Sequence, residues 1–172
     1  MTSKATKPAA KKATGSARTD PATKLLMADH KDVHAMFQQY KKLADADADA
    51  SEREALATEI CHALTVHATI EEELFYPAAR DAEVDADLLD EAEVEHASAK
   101  ELIAQIEAMS PGDDLYDAKV TVLGEYIDHH VKEEEGELFP KCRKSDMDLE
   151  GLGEALAARK QELTAEMAEM IA

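Results

Sequence analysis

The sequence predicts an all-α protein: an up-down-up-down bundle of four long helices, an additional C-terminal helix and a disordered N-terminal tail. The composition is dominated by helix-forming residues, and aromatic residues make up only 4% of it. Apolar residues recur with a helical period in five segments, without strand-like alternation. Short links separate these segments, which favours antiparallel packing of neighbouring helices.

The first 20 residues differ from the rest of the chain in charge and in apolar content. They contain five basic residues and one acidic residue, Asp20, and almost no large apolar side chain. Such a segment cannot bury a core, so we expect residues 1–20 to form a disordered basic tail. The rest divides into a four-helix domain, residues 21–143, and an amphipathic C-terminal helix, residues 144–172.

The remainder of the chain is strongly acidic, with 14 basic and 37 acidic residues in 21–172 and a formal net charge of −23. This charge repels nucleic acids and anionic membranes and attracts cations. The basic tail is the segment suited to a nucleic-acid contact, but a plain flexible extension is the favoured interpretation of it. No apolar run approaches the roughly 20 residues that cross a bilayer, and no secretory signal is recognisable. Cys61 and Cys142 form no CxxC pair, so we expect a reducing, cytoplasmic setting. The oligomeric state stays open.

Caps and helix breakers predict the limits of the first two helices. Asp20-Pro21 has the form of an N-cap followed by proline at the first helical position, and the helix should run to about Lys42. Ser51 and Glu54 have the spacing of a capping box that opens the second helix. Pro77 should end or kink that helix, because it lacks a backbone N–H.

The later helices are predicted in the same way. A third helix should begin near Asp87 and stop at Ser110-Pro111-Gly112. A fourth should span residues 113–140, and a shorter fifth helix should follow Asp148, packing across one side or end of the bundle.

The four long helices each place a histidine on the stripe predicted to be buried, and two of them add a glutamate one turn later. The six residues are His30, His67, Glu71, His96, His130 and Glu134. A carboxylate in a bundle core is costly unless it is paired or bound to a metal. Imidazole and carboxylate are ordinary ligands of first-row divalent metals, and residues i and i+4 share one helix face. The sequence therefore predicts a buried metal centre.

The ligand pattern is repeated within the chain. A lone histidine followed by His-x3-Glu occurs twice, with histidine spacings of 37 residues in the first copy and 34 in the second. A two-fold set of this kind suits two metals, each with two histidines, bridged by two glutamates.

Three further residues are candidates for completing the centre: His34, Glu93 and Tyr126. His34 lies one turn beyond His30, whereas the other two fall near the buried stripes of the third and fourth helices. His62 and His129 point away from those stripes, and we expect both to be peripheral.

The stretches DHKDVHAMF, HATIEEELFYP, EVEH and HHVKEEEGELFP resemble the HHE cation-binding domain of hemerythrin-like proteins over about residues 22–143. The resemblance implies a hemerythrin-like bundle with a non-haem centre of two iron ions. It also implies that the four histidines are terminal ligands and the two glutamates are bridging ligands. The implied small ligands are O2, hydrogen peroxide and nitric oxide.

The chain departs from the oxygen-carrying hemerythrins at two positions. Ala92 stands where they have a second histidine on the third helix, and His130-x3-Glu134 stands where they have His-x4-Asp. We expect one iron to gain an open position, which favours a peroxide-consuming, catalase-like activity over stable oxygen carriage. The pocket beside the metals should be apolar, lined by Val33, Phe37, Ile70, Ile103 and Ile127.

Two other functions stay open at this point. A ferritin-like di-iron oxidase uses Glu-x-x-His pairs, and the chain contains Glu59-x-x-His62 and Glu93-x-x-His96. The first pair faces away from the predicted core, which disfavours this class. The other alternative is a non-catalytic module that responds to metal or oxygen and contacts a partner through its last helix or its tail.

Overall fold

The computed structural model of the protein describes residues 20–171, and all regular secondary structure in that range is helical. Residues 1–19, nearly all of the predicted basic tail, lie outside it. Five helical rods follow one another along the chain, and the second and fourth are each interrupted by one π-helical turn. The rods are α1 (Pro21–Asp45); α2 (Ala50–Ile70), π1 (Glu71–Phe75) and α3 (Tyr76–Asp81); α4 (Ala86–Glu107); α5 (Tyr116–Glu133), π2 (Glu134–Leu138) and α6 (Phe139–Lys144); and α7 (Leu149–Ile171).

The predicted start of the first helix is confirmed. Asp20 is the N-cap of α1, and its Oδ1 accepts a hydrogen bond from the backbone N–H of Thr23 at 3.1 Å. The guanidinium of Arg143 donates to the other carboxylate oxygen of Asp20 at 2.9 Å. The cap therefore also connects the start of α1 to the end of the fourth rod.

Three predicted helix limits are corrected by the structure. The first helix extends to Asp45. The second begins at Ala50 with Asp49 as its N-cap, so the predicted capping box is wrong, because Ser51 already lies inside the helix. The helix predicted from residue 113 begins at Tyr116, since the residue before it has a left-handed backbone with φ of 72°.

The prolines do not end the rods that contain them. Pro77 and Pro140 each lie at the start of a short helix, α3 or α6, that continues directly from a π turn. In π1, the N–H of Tyr76 donates to the carbonyl of Glu71, five residues back. The wider turn changes the hydrogen-bond ladder just before the proline, whose missing N–H would otherwise break the regular pattern.

A layer of buried polar side chains separates two apolar clusters in the bundle. One cluster contains Leu26, Phe75, Phe139 and Leu156, and the other contains Tyr40, Ile60, Ile103 and Leu123, among others. Burial of both clusters supplies most of the driving force for packing the four rods. The polar layer between them is the candidate functional site.

The last helix, α7, packs against α1 and α2 and contributes the fully buried Leu156. Gly153 allows the close approach, because a Cβ at this position would lie 2.7 Å from Cγ of Pro21 and 2.9 Å from the backbone nitrogen of Ala22. Arg159 reaches from α7 to Glu73 at 2.7 Å. Within residues 20–171, no helix is both long and apolar enough to cross a membrane.

Gly153→Ala should destabilise the protein, although alanine normally favours a helix. The added methyl group meets the backbone of α1, and overpacking of this kind costs about 1–3 kcal/mol. Gly136→Ala is the matched control, because a Cβ there meets nothing within 4 Å. Urea unfolding of both variants at equal metal content measures the difference. Equal stabilities would show that α7 does not pack closely on the start of α1.

Candidate metal centre

The polar layer consists of the six residues that the sequence singles out. They are His30, His67, Glu71, His96, His130 and Glu134, and none is more than 6% exposed. α1, α2, α4 and α5 each supply one histidine, and the two glutamates are the first residues of π1 and π2. The helical periods of four rods therefore converge on one buried polar site.

One half of this layer is built around His30 and His67. Their Nε2 atoms lie 3.1 Å apart. Oε1 of Glu71 lies 3.1 Å from Nε2 of His67, and Oε2 of Glu134 lies 3.2 Å from Nε2 of His30. Two nitrogens and two carboxylate oxygens thus face one another within the reach of a single cation.

The other half is built around His96 and His130, whose Nε2 atoms are also 3.1 Å apart. Oε2 of Glu71 lies 3.2 Å from Nε2 of His96, and Oε2 of Glu134 lies 3.5 Å from Nε2 of His130. Glu71 points one oxygen into each half, as a bridging carboxylate does. The two donor groups share this residue.

Two carboxylate oxygens in the layer have no hydrogen-bond partner among the described residues. They are Oε1 of Glu71 and Oε2 of Glu134, and their side chains are 0% and 2% exposed. An unpaired buried carboxylate oxygen is strongly unfavourable. A cation shared with the neighbouring imidazoles removes that cost, so the donor set fits first-row metal ions.

Each histidine of the layer is held by a second carboxylate on its outer nitrogen. The Nδ1–carboxylate pairs are His30–Glu135 at 2.9 Å, His67–Asp29 at 3.3 Å, His96–Glu72 at 2.9 Å and His130–Glu95 at 2.7 Å. An Nδ1–H that donates to a carboxylate leaves the Nε2 lone pair free for the centre. In the sequence, Asp29 and Glu95 each directly precede the lone histidine of a repeat, but sequence reasoning gave them no role, and it missed Glu72 and Glu135.

Electrostatics favours positive charge in the layer. Burial opposes protonation of His67, but the carboxylates of Glu71 and Asp29 outweigh it and raise its pKa to about 10. Burial also opposes protonation of His130, but the carboxylates of Glu134 and Glu95 outweigh it and raise its pKa to about 9. The layer therefore holds protons or, in exchange for them, metal cations.

Tyr76 is a member of the site that sequence reasoning missed. Its hydroxyl donates to Oε1 of Glu134 at 2.8 Å and lies 3.2 Å from Nε2 of His96 and 3.5 Å from Nε2 of His130. Burial, together with the charges of Glu71 and Glu134, raises the pKa of this phenol well above its ordinary value. The oxygen lies where a further donor to a cation at His96 and His130 would be needed.

The π turn explains why Tyr76 escaped notice. On a regular helical wheel it lies about 140° from Glu71, on a different face. The wider turn of π1 rotates the chain less per residue and brings the tyrosine beneath the glutamate. The equivalent residue after π2 is Phe139, which stacks on the ring of His30 at 5.9 Å. The only available signal was the shared Phe/Tyr-Pro ending of the two repeats.

The three additional candidates lie outside the layer. His34 is 52% exposed and pairs with Asp128 at 3.1 Å. Glu93 is 55% exposed and pairs with Arg80, and Tyr126 is 49% exposed. Each lies far enough round its helix for its side chain to reach solvent, so none of the three joins the layer, whereas the Tyr76 hydroxyl lies beside His96 and His130. His129 is exposed, as expected, whereas His62 is half-buried beside α7.

Glu134→Gln should lower the metal content of the purified protein, because the amide cannot supply the second carboxylate of the layer. Glu137→Gln, in the same π turn but exposed, should leave the metal content unchanged. Elemental analysis of both variants, expressed side by side, measures the effect. Equal metal losses would mean that Glu134 has no special part in holding the cation.

Comparisons with known proteins identify the fold and the family of the chain. A solved structure of a hemerythrin HHE cation binding domain-containing protein from Mycobacterium kansasii superposes with a TM-score of 0.70 at 24% identity, covering 86% of this chain and 89% of that one. A DNA nickase from Nostoc sp. is 30% identical over 117 residues, which are 68% of this chain. The match covers 32% of the nickase, so the chain spans about a third of that protein's length.

The family comparison covers the bundle itself. Residues 22–142 match the family described as the hemerythrin HHE cation binding domain, a range that contains all six residues of the polar layer and Tyr76. The four-helix part of the chain therefore has both the fold and the His/Glu cluster of a cation-binding protein. The chain belongs to the hemerythrin HHE cation-binding domain family.

Proposed function

We propose that the protein is a non-haem di-iron protein that reacts with hydrogen peroxide, and that O2 and nitric oxide are the other small ligands its site admits. The observation that carries this proposal is the pair of donor groups joined by Glu71, with one oxygen on each buried glutamate that has no hydrogen-bond partner and faces an imidazole Nε2. His30, His67, Glu71 and Glu134 would hold one iron. His96, His130 and Glu71 would hold the other, with the phenol of Tyr76 as a further donor.

Bound iron supplies a Lewis acid and a redox couple. The chain's own contribution is orientation, because four outer carboxylates fix the imidazoles and two of them are themselves held by lysines. Lys100 donates to Glu72 at 2.5 Å, and Lys160 of α7 donates to Asp29. Without a metal, the Tyr76 hydroxyl donates its proton to Oε1 of Glu134 at 2.8 Å, and binding to iron as a phenolate would displace that proton.

An apolar cavity on the histidine side of the layer provides the place for a small ligand. It has a volume of about 30 Å³ and is lined by His30, His67, His96, His130 and apolar residues that include Val33, Ile103 and Ile127. Phe37 and Ile70, which the sequence also assigned to this pocket, do not line it. A space of this size holds a diatomic molecule or peroxide and excludes larger polar substrates.

The tyrosine bears on the choice between turnover and oxygen carriage. Reversible carriage starts from the reduced metal, whereas an anionic phenolate donor stabilises the more highly charged, oxidised ion. Tyr76 near His96 and His130 therefore supports peroxide turnover. In the net reaction one peroxide is oxidised to O2 and another is reduced to water, so protons are moved between substrates but not consumed.

The alternative functions receive less support from the contacts. Glu59 and His62 of the ferritin-like pattern line a groove against α7 whose lining contains none of the six residues of the polar layer. The similarity to a DNA nickase makes DNA a candidate substrate, but the net charge of −23 on residues 21–172 repels a phosphate backbone. A non-catalytic module that responds to metal or oxygen is the remaining alternative, and measurement of turnover separates it from an enzyme.

Oxygen evolution from added peroxide tests the proposal. The iron-loaded protein should evolve oxygen faster than both an equal concentration of free iron and the Glu71→Ala variant, because the variant lacks the shared carboxylate. If the unaltered protein is no faster than the variant and instead forms a long-lived oxygen adduct, carriage or sensing is the better account.

Tyr76→Phe should remove the phenolate-to-iron absorption band and lower peroxide turnover by about tenfold or more, the range typical of groups that tune a metal site. Tyr40→Phe is the matched control, since it removes another buried hydroxyl, which donates to Asp117 at 2.6 Å in the second apolar cluster. An unchanged spectrum in Tyr76→Phe would limit the phenol to its hydrogen bond with Glu134.

A further inference from the structure

A third group of metal-binding side chains lies outside the buried layer. Nε2 of His129 lies 3.3 Å from Oε1 of Glu133 and 3.4 Å from Oε1 of Glu95. The histidine is 65% exposed, and the glutamates are 32% and 25% exposed. One nitrogen and two carboxylate oxygens therefore face one another at the surface, in contact with solvent.

We propose that His129, Glu133 and Glu95 form a loading site, which takes a divalent first-row cation from solvent and passes it to the buried centre. This inference rests on the proposed function, because it supposes that the buried layer is filled with iron. Imidazole and carboxylate suit Fe²⁺ at the surface as they do in the layer.

Glu95 connects the two sites directly. Its Oε1 faces His129, whereas its Oε2 accepts from Nδ1 of His130 at 2.7 Å. A single carboxylate thus contacts both the exposed histidine and a histidine of the buried layer. A cation at the loading site would therefore be separated from the buried centre by the side chain of Glu95 alone.

The charges around this group differ from those around two of the other outer carboxylates. Asp29 and Glu72 each pair with a lysine, which neutralises them and repels cations. Within residues 20–171, the ion pairs of Glu95 and Glu133 are with histidines alone. No lysine or arginine pairs with either carboxylate there, so this corner of the bundle attracts a metal cation more strongly than the corners at Asp29 and Glu72.

A small cavity lies between the two glutamates of the loading site and the layer. It has a volume of about 10 Å³, and its lining includes Glu95 and Glu133 on the outer side and His130 and Glu134 on the inner side. The small side chain of Ala92 also borders it. Glu134, 2% exposed, borders this cavity, and its Oε2, which has no hydrogen-bond partner, faces His30 and His130 in the layer. A cation that leaves the outer donors therefore next meets a carboxylate of the buried centre.

The rate of iron uptake tests the loading site. Full-length protein, expressed in iron-depleted medium, is mixed with two equivalents of Fe²⁺ without oxygen, and samples are quenched with a strong chelator at intervals. The His129→Ala/Glu133→Gln variant should acquire chelator-resistant iron at least about tenfold more slowly, the scale of electrostatic effects on association, and still reach the same final content. Both changes are on the surface, so folding should be unaffected.

His34→Ala/Asp128→Asn is the matched control, because it removes another exposed histidine–carboxylate pair at 3.1 Å. It should load at the normal rate. Equal loading rates in the two double variants would overturn the loading site and leave the buried centre standing, and so would a lower final iron content at an unchanged rate. A lack of chelator-resistant iron in the unaltered protein would instead overturn the proposed function.

Discussion

The main physical constraint on the structure is the burial of two carboxylates in the middle of an apolar helical bundle. Glu71 and Glu134 separate the two hydrophobic clusters, and isolated charges at such depth would be prohibitively costly. Four imidazoles face them, and four further carboxylates hold the imidazoles from outside. Carboxylates and imidazoles thus alternate from the centre outwards, so that each polar group faces one of the opposite kind. Only Oε1 of Glu71 and Oε2 of Glu134 lack a hydrogen-bond partner among the described residues, and both face the histidines that would share a cation with them.

The two π turns make this arrangement possible from two similar halves. Each turn begins at a central glutamate, and the residue five positions later reaches the polar layer. The halves then differ at one position, where Tyr76 brings a hydroxyl to one donor group and Phe139 stacks on a histidine of the other. Two metals in otherwise related surroundings would therefore differ in their ligands. This asymmetry distinguishes the site from a simple duplicated one.

Much of the bundle and the six-residue layer could be predicted, because apolar period and His-x3-Glu spacing are local properties of a helix. The predicted wheel placed His30, His67, His96 and His130 correctly, since no π turn precedes them in their helices. It missed Tyr76 and the π turn before Pro77, because both depend on a change in helical pitch. The pairings of Asp29 with His67 and of Glu72 with His96 join different helices, so they depend on packing that one helix's pattern does not contain.

The fifth rod reaches the same centre from outside, through Lys160 on Asp29, so the fold and the site support each other. The central claim is that this layer holds a coupled pair of iron ions. Iron analysis with Mössbauer spectroscopy, on full-length protein purified without added iron, tests it most directly. The account predicts close to two irons per chain and a spin-coupled pair with two distinguishable sites. One iron or none per chain, or two uncoupled ions, would contradict it.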